Sequence, residues 1–92
     1  MTKPGNKKFE IEYLDSVVKE DIPNLPKTMR LLIKKAIEER LTVDPMGLGK
    51  PLRYSFVGDR RLRVGDYRIV YRIDFKNFLV KIVLIKHRKD VY

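Results

Sequence analysis

The sequence predicts an α+β fold: a small single domain with an N-terminal strand, two helical segments, then a three-stranded antiparallel meander, the helices packed on one face of the sheet. Three observations predict it. Residues 9–13 alternate apolar and acidic side chains, residues 27–41 repeat apolar residues every three and four positions, and from residue 60 onward three strand-like runs are separated by two short turns. A chain of 92 residues supplies one hydrophobic core, so residues 1–92 form one domain.

The first strand is "KKFEIEYL", with Phe9, Ile11 and Tyr13 on one side and Glu10 and Glu12 on the other. "DSVVKEDIPNLP" follows as a short helical turn interrupted by Pro23 and Pro26. The clearest helix is "KTMRLLIKKAIEERL", whose apolar stripe comprises Met29, Leu32, Ile33, Ala36, Ile37 and Leu41. Asn24 or Leu25 is expected at its cap with Pro26 in the first turn, and Pro45, Gly47 and Gly49 are expected to end it and open a loop. "RRLRV", the turn "GD", "YRIVYRID", a connection at "FKN" and "FLVKIVLIK" then read as two hairpins. The last strand is apolar at nearly every position, as expected of a strand covered on both faces or lying centrally in a sheet.

Composition narrows the chemistry. Hydrophobic residues make up 43% of the chain, enough for a folded core, and the absence of cysteine excludes disulfides, thiolate metal sites and cysteine nucleophiles. Nothing approaches the roughly 18 apolar residues of a membrane span, and the N-terminus has no signal-peptide core, so a cytoplasmic protein without membrane contact is expected. There is no glycine-rich phosphate loop, acidic magnesium cluster or zinc spacing, so neither metal nor cofactor is expected. The net charge is +9 and unevenly placed: nine Lys and Arg face eight Asp and Glu up to Gly49, whereas twelve face four from Lys50 onward. A polyanion-binding face in the second half is the expected consequence.

Hairpin register locates that face. With Gly65 and Asp66 as the turn, Val64 opposes Tyr67, Arg63 opposes Arg68, Leu62 opposes Ile69 and Arg61 opposes Val70. Leu62, Val64, Tyr67, Ile69 and Tyr71 then share the side under the helix, and Arg61, Arg63, Arg68 and Arg72 share the other. The second hairpin is expected to pair Val70 with Lys81 and Arg68 with Val83, adding Lys81 to the arginine face. Like charges directly opposite one another destabilise a sheet by several tenths of a kcal/mol. An anionic ligand offsets that cost, and guanidinium forks suit phosphate. The strand ends in "KHRKDVY", bringing Lys86, His87, Arg88 and Lys89 toward the same region, and histidine is the side chain suited to proton transfer near neutral pH.

The element order, "RLRVGDYRIVY" within the meander and the closing "HRKDVY" resemble the RelE-type toxins of bacterial type II toxin–antitoxin systems, within the wider RelE/ParE superfamily. The resemblance covers nearly the whole chain. It implies a ribosome-dependent endoribonuclease that cuts messenger RNA in the ribosomal A site and so inhibits translation, held inactive by a cognate antitoxin. The implied chemistry is metal-independent attack of a 2′-hydroxyl on the adjacent phosphate, which requires a proton acceptor, cations at the phosphorane and a donor for the departing 5′-oxygen.

By the same resemblance, Arg68 matches a phosphate-stabilising arginine and Arg61 a basic site position, while His87 and Arg88 occupy an acid/base region and Tyr92 matches a terminal-region tyrosine. The division of acid and base among His87, Arg88 and Tyr92 stays open. Arg60, Arg63, Arg72, Lys81, Lys86 and Lys89 are the expected RNA contacts. Asp59 stands where some relatives carry a second lysine. The free toxin is expected to be monomeric, and its antitoxin to wrap the helical surface from Met29 to Leu41. Inhibition of DNA gyrase in the manner of the ParE branch, or non-catalytic nucleic-acid binding, are the alternatives.

Overall fold

The protein is described by a computed structural model covering residues 8–48, 50–51 and 59–90. Tyr92 lies outside the described residues. β1 (Glu10–Tyr13) leads into a helical segment ending in a wide π turn, Val17–Asp21. Helix α1 (Lys27–Ala36) runs on into a second π turn, Ile37–Leu41. A four-residue α2 (Pro45–Leu48) and a two-residue β2 (Lys50–Pro51) follow, then β3 (Asp59–Val64), β4 (Tyr67–Asp74), β5 (Leu79–His87) and a 3-10 turn, Arg88–Asp90.

The α+β architecture is the expected one, with helices on one face of a largely antiparallel sheet. Among the described residues that sheet has five strands in the order β1-β5-β4-β3-β2. β1 runs parallel to β5, which makes β5 an interior strand and accounts for its apolar sequence. The core gathers Val17, Leu25, Ile33, Ala36, Ile37 and Leu41 from the helical segments against Leu62, Ile69, Tyr71, Val80, Ile82 and Ile85 of the sheet.

Helix boundaries differ from the expectation in two places. Pro26 is itself the cap residue of α1, extended at ψ 148°, and its carbonyl accepts the Arg30 N–H at 2.8 Å. Beyond the helix, Pro45 opens α2 instead of a plain loop, with the Asp44 carboxylate accepting the Gly47 N–H at 2.9 Å. Asp44 acts as an N-cap, a role its side chain fills by replacing a missing helical acceptor. The apolar stripe of α1 is also narrower than its spacing suggested. Ile33 is buried, yet Leu32 is 54% exposed, because a period of 3.6 carries position 32 away from the sheet.

The first hairpin has the expected register at every pair, from Val64 opposite Tyr67 to Arg61 opposite Val70. Gly65 sits at φ +59°, which a two-residue hairpin turn requires and a glycine adopts without steric cost.

The second hairpin corrects the expected one. Its loop is residues 75–78, so that Asp74 opposes Leu79 and Arg72 opposes Lys81. The Asp74 carboxylate fastens that loop by accepting the Asn77 backbone N–H at 3.1 Å and its amide at 2.9 Å. Phe78 adopts φ +53° and stacks on Phe9 with ring centroids 4.2 Å apart. A bulge then shifts the register between Val70 and Tyr71, so Val70 opposes Leu84, Arg68 opposes Lys86 and Tyr67 opposes His87. Neither Val70–Lys81 nor Arg68–Val83 forms. The bulge inserts an extra residue in β5 and reverses its parity, which turns both Ile82 and Ile85 into the core despite a spacing of three.

Candidate nucleic-acid interface

Strand parity assembles the cationic face. On β3, Arg61 and Arg63 alternate with the buried Leu62; on β4, Arg68 and Arg72 alternate with the buried Ile69 and Tyr71. β5 adds Lys81 opposite Arg72 and, beyond the bulge, Lys86 opposite Arg68. Six cations from three adjacent strands thus share one side of the sheet. Between them lie Val70 and Leu84, paired with each other; Val70 is buried although it is outside the helix-side core. At the far edge, Glu12 of β1 opposes Lys81 and closes the basic region with acidic charge.

Arg72 is already engaged. Its Nε donates to Asp59 at 2.7 Å, and the hydrogen bond and charge of that carboxylate raise the guanidinium pKa above its ordinary value. Asp59 therefore neutralises one corner of the face. Among the described residues Arg61, Arg63 and Lys81 form no ion pair.

Lys86 meets an acid that sequence reasoning missed. Its ammonium lies 2.8 Å from Oδ1 of Asp21, and the other oxygen of that carboxylate accepts the Ile85 N–H at 3.0 Å. Asp21 is only 6% exposed. In the sequence it was one acid among several in a charged helical turn; nothing local indicated that the turn's end would meet β5.

Two expected site residues fall elsewhere. Arg60 opposes Tyr71, on the helix side, and its guanidinium donates to the Met46 carbonyl at 2.7 Å. The neighbouring Tyr71 hydroxyl donates to the Pro45 carbonyl at 2.6 Å. Arg60 and Tyr71 together hold α2 against the sheet, so Arg60 does not join Arg61 and Arg68. Burial raises the Tyr71 phenol pKa above its ordinary value, with the Arg60 hydrogen bond and charge opposing in part.

His87 also lies on the helix side, because the bulge exchanged its face with that of Lys86. Its ring meets Tyr67 edge-to-face at 5.2 Å, and its Nδ1 accepts the Lys89 N–H at 3.2 Å. A cavity of about 110 Å³ beside it is lined by Asp21, Asn24, Leu25, Tyr67 and Lys86. The imidazole thus braces the turn that carries Arg88 and Lys89. The Arg88 N–H donates to the Asp66 carbonyl at 2.7 Å, and its exposed guanidinium lies 3.7 Å from the Asp66 carboxylate. Arg88 and Lys89 consequently sit at the rim beside the β3–β4 turn.

A family model described as the ParE toxin of the type II toxin–antitoxin system parDE matches residues 12–92. The chain belongs to this toxin family. The RelE-type toxins are its near relatives: it is 32% identical over 77 residues to toxin RelG of Mycobacterium tuberculosis, covering 84% of this chain and 88% of RelG. Toxin RelE of the same organism is 36% identical over 72 residues, 78% of this chain and 74% of that one. Among solved structures, the RelBE2 toxin–antitoxin complex of M. tuberculosis aligns with a TM-score of 0.82 at 28% identity, covering 92% of this chain and 97% of that one. The isolated RelE toxin of E. coli aligns with a TM-score of 0.72 at 20% identity over 86% of this chain and 83% of that one, a likeness of fold. This RelE-type toxin thus presents, among its described residues, a sheet face with six cations, and no described helix is long and apolar enough to cross a membrane.

Proposed function

We propose that the toxin is a metal-independent endoribonuclease that cuts messenger RNA in the ribosomal A site and so arrests translation in the cytoplasm. The observation that carries this reading is the placement of Arg61, Arg63, Arg68, Arg72, Lys81 and Lys86 on one face across three strands. Cations aligned at strand spacing follow a phosphate backbone, and guanidinium groups stabilise the charge of a pentavalent phosphorane. In this reading the 2′-hydroxyl attacks the adjacent phosphate, its proton passes to a base, and the departing 5′-oxygen takes a proton from a donor. Arg68 and Arg61 hold the phosphate, with Lys86 beside Arg68. Arg88 approaches from the end of β5, His87 steadies its turn, and Tyr92 enters the reading only through the resemblance. Ribosomal RNA and messenger RNA supply the orientation that an open face lacks, so naked RNA is a poor substrate.

The partner that silences the toxin is a cognate antitoxin. Solved relatives include complexes of RelE with RelB. Leu31 and Leu32, adjacent and largely exposed on α1, offer apolar surface for it to cover.

Primer extension on a messenger RNA translated in a cell-free system tests the nuclease. Ribosome-dependent cuts with wild type, lost in Arg68→Ala and reduced in a chain lacking Tyr92, are expected. Uninterrupted translation with wild type would sink the proposal. The ParE description of the family model favours gyrase inhibition as the second reading; a supercoiling assay distinguishes it.

A further inference from the structure

We infer that Asp21 is a positioning residue for Lys86: its buried carboxylate ties the edge of β5 to the ammonium of Lys86, the residue that the β4–β5 register pairs with Arg68. The inference rests on the nuclease reading only for its effect on rate.

The geometry begins at the sheet edge. β1 accompanies β5 as far as Tyr13 opposite Ile82, and the Leu14 N–H donates to the Ile82 carbonyl at 3.1 Å before the chain turns into its helical segment. The Ile85 N–H therefore lies past the last residue of β1. A buried backbone donor without an acceptor is costly, and the Asp21 carboxylate takes that place with Oδ2 at 3.0 Å. One oxygen thereby fixes the carboxylate to the strand. The other, Oδ1, lies 2.8 Å from Lys86 Nζ.

Lysine carries its charge on a flexible four-carbon stem, which makes it a poorly directed partner for a phosphate unless something restrains it. Asp21 has the properties of such a restraint: it is almost wholly buried, it is anchored by a backbone hydrogen bond, and it bears the complementary charge. A role limited to completing the sheet edge would require only an acceptor for the Ile85 N–H. The carboxylate supplies more than that, and the excess is directed at Lys86.

Asp21→Asn separates the two roles, since the amide oxygen still accepts from Ile85 while the negative charge is gone. The test uses the full chain as wild type, Asp21→Asn, Asp21→Glu, Lys86→Met and the Asp21→Asn/Lys86→Met double variant. Three quantities are read: mobility of the Lys86 ammonium by nitrogen NMR, thermal midpoint, and messenger RNA cleavage during cell-free translation. Expected are a restrained ammonium in wild type that becomes mobile in Asp21→Asn, a lowered midpoint that still leaves the variant folded at the assay temperature, and cleavage lowered about tenfold. Asp21→Glu, which keeps the charge, recovers part of that loss, and Asp21→Asn adds nothing in the Lys86→Met background. A mobile Lys86 ammonium in wild type would overturn the inference, as would equal losses with and without Lys86. Equal cleavage defects in the Asn and Glu variants that follow the thermal midpoint would reduce Asp21 to a structural residue. Should wild type itself not cleave, the nuclease reading falls, while the ammonium mobility still decides whether Asp21 positions Lys86.

Discussion

Arg63 and Arg68 stand directly opposite one another across the β3–β4 hairpin, and both point to the face shared with Lys86. Paired like charges are a stability cost that the fold carries for the sake of the surface they make. Arg63 is exposed and forms no ion pair among the described residues. Arg63→Gln is therefore expected to raise stability by about 0.2–1 kcal/mol at low salt and to weaken binding to RNA. Urea unfolding and filter binding measure the two, and a destabilised variant would contradict the assignment.

Salt dependence counts phosphate contacts. The slope of log affinity against log salt is expected to fall by about 0.7 for each cation removed when the ligand is single-stranded. Arg61→Gln should show this change. Arg60→Gln should leave the slope unchanged, since Arg60 points to the helix side and donates to the Met46 carbonyl.

Asp59 occupies the Arg72 guanidinium at 2.7 Å and so competes with any phosphate for it. Asp59→Asn is expected to strengthen RNA binding several-fold. The Arg72 side of the ion pair is exposed, so its loss costs about 1 kcal/mol of stability or less. Affinity equal to or below that of wild type would show that Arg72 does not meet the ligand.

Tyr71 links pH to stability. Burial raises its pKa in the folded state, so above pH 10 the unfolded chain releases the phenolic proton first. Stability contributed by the protonated phenol is then complete below the unfolded pKa and declines as pH rises through the folded one. Tyr71→Phe is expected to lose about 1 kcal/mol at neutral pH with the hydrogen bond to Pro45, and to show a shallower alkaline decline. Thermal midpoints between pH 8 and about 11 would reveal both effects.

Neighbouring residues on α1 should respond oppositely. Ile33→Ala opens a cavity in the core and is expected to cost about 2–5 kcal/mol, whereas Leu32→Ser on the exposed side should change stability by about 0.5 kcal/mol or less. Co-purification with the antitoxin is expected to weaken for Leu32→Ser. Retained capture at wild-type strength would place the partner elsewhere.

Much of this arrangement was legible in the sequence. The Gly65–Asp66 turn fixed the first hairpin because a two-residue loop leaves one register, and period-2 alternation then assigned Arg61, Arg63, Arg68 and Arg72 to one side. The resemblance carried by "RLRVGDYRIVY" and "HRKDVY" pointed to the family that the comparisons established.

Tertiary structure decided what strand alternation alone cannot carry. The bulge in β5 depends on packing Ile82 and Ile85 into the same core, a demand set by the helices above, and it exchanged the faces of Lys86 and His87. Contacts between residues far apart in the chain were equally hidden: Arg60 reached Met46, and Asp21 reached Ile85, 64 positions away, and Lys86 beside it. Local pattern determines which side of an undistorted strand a residue occupies. Only the closed core determines where that strand is distorted and which buried charge meets it.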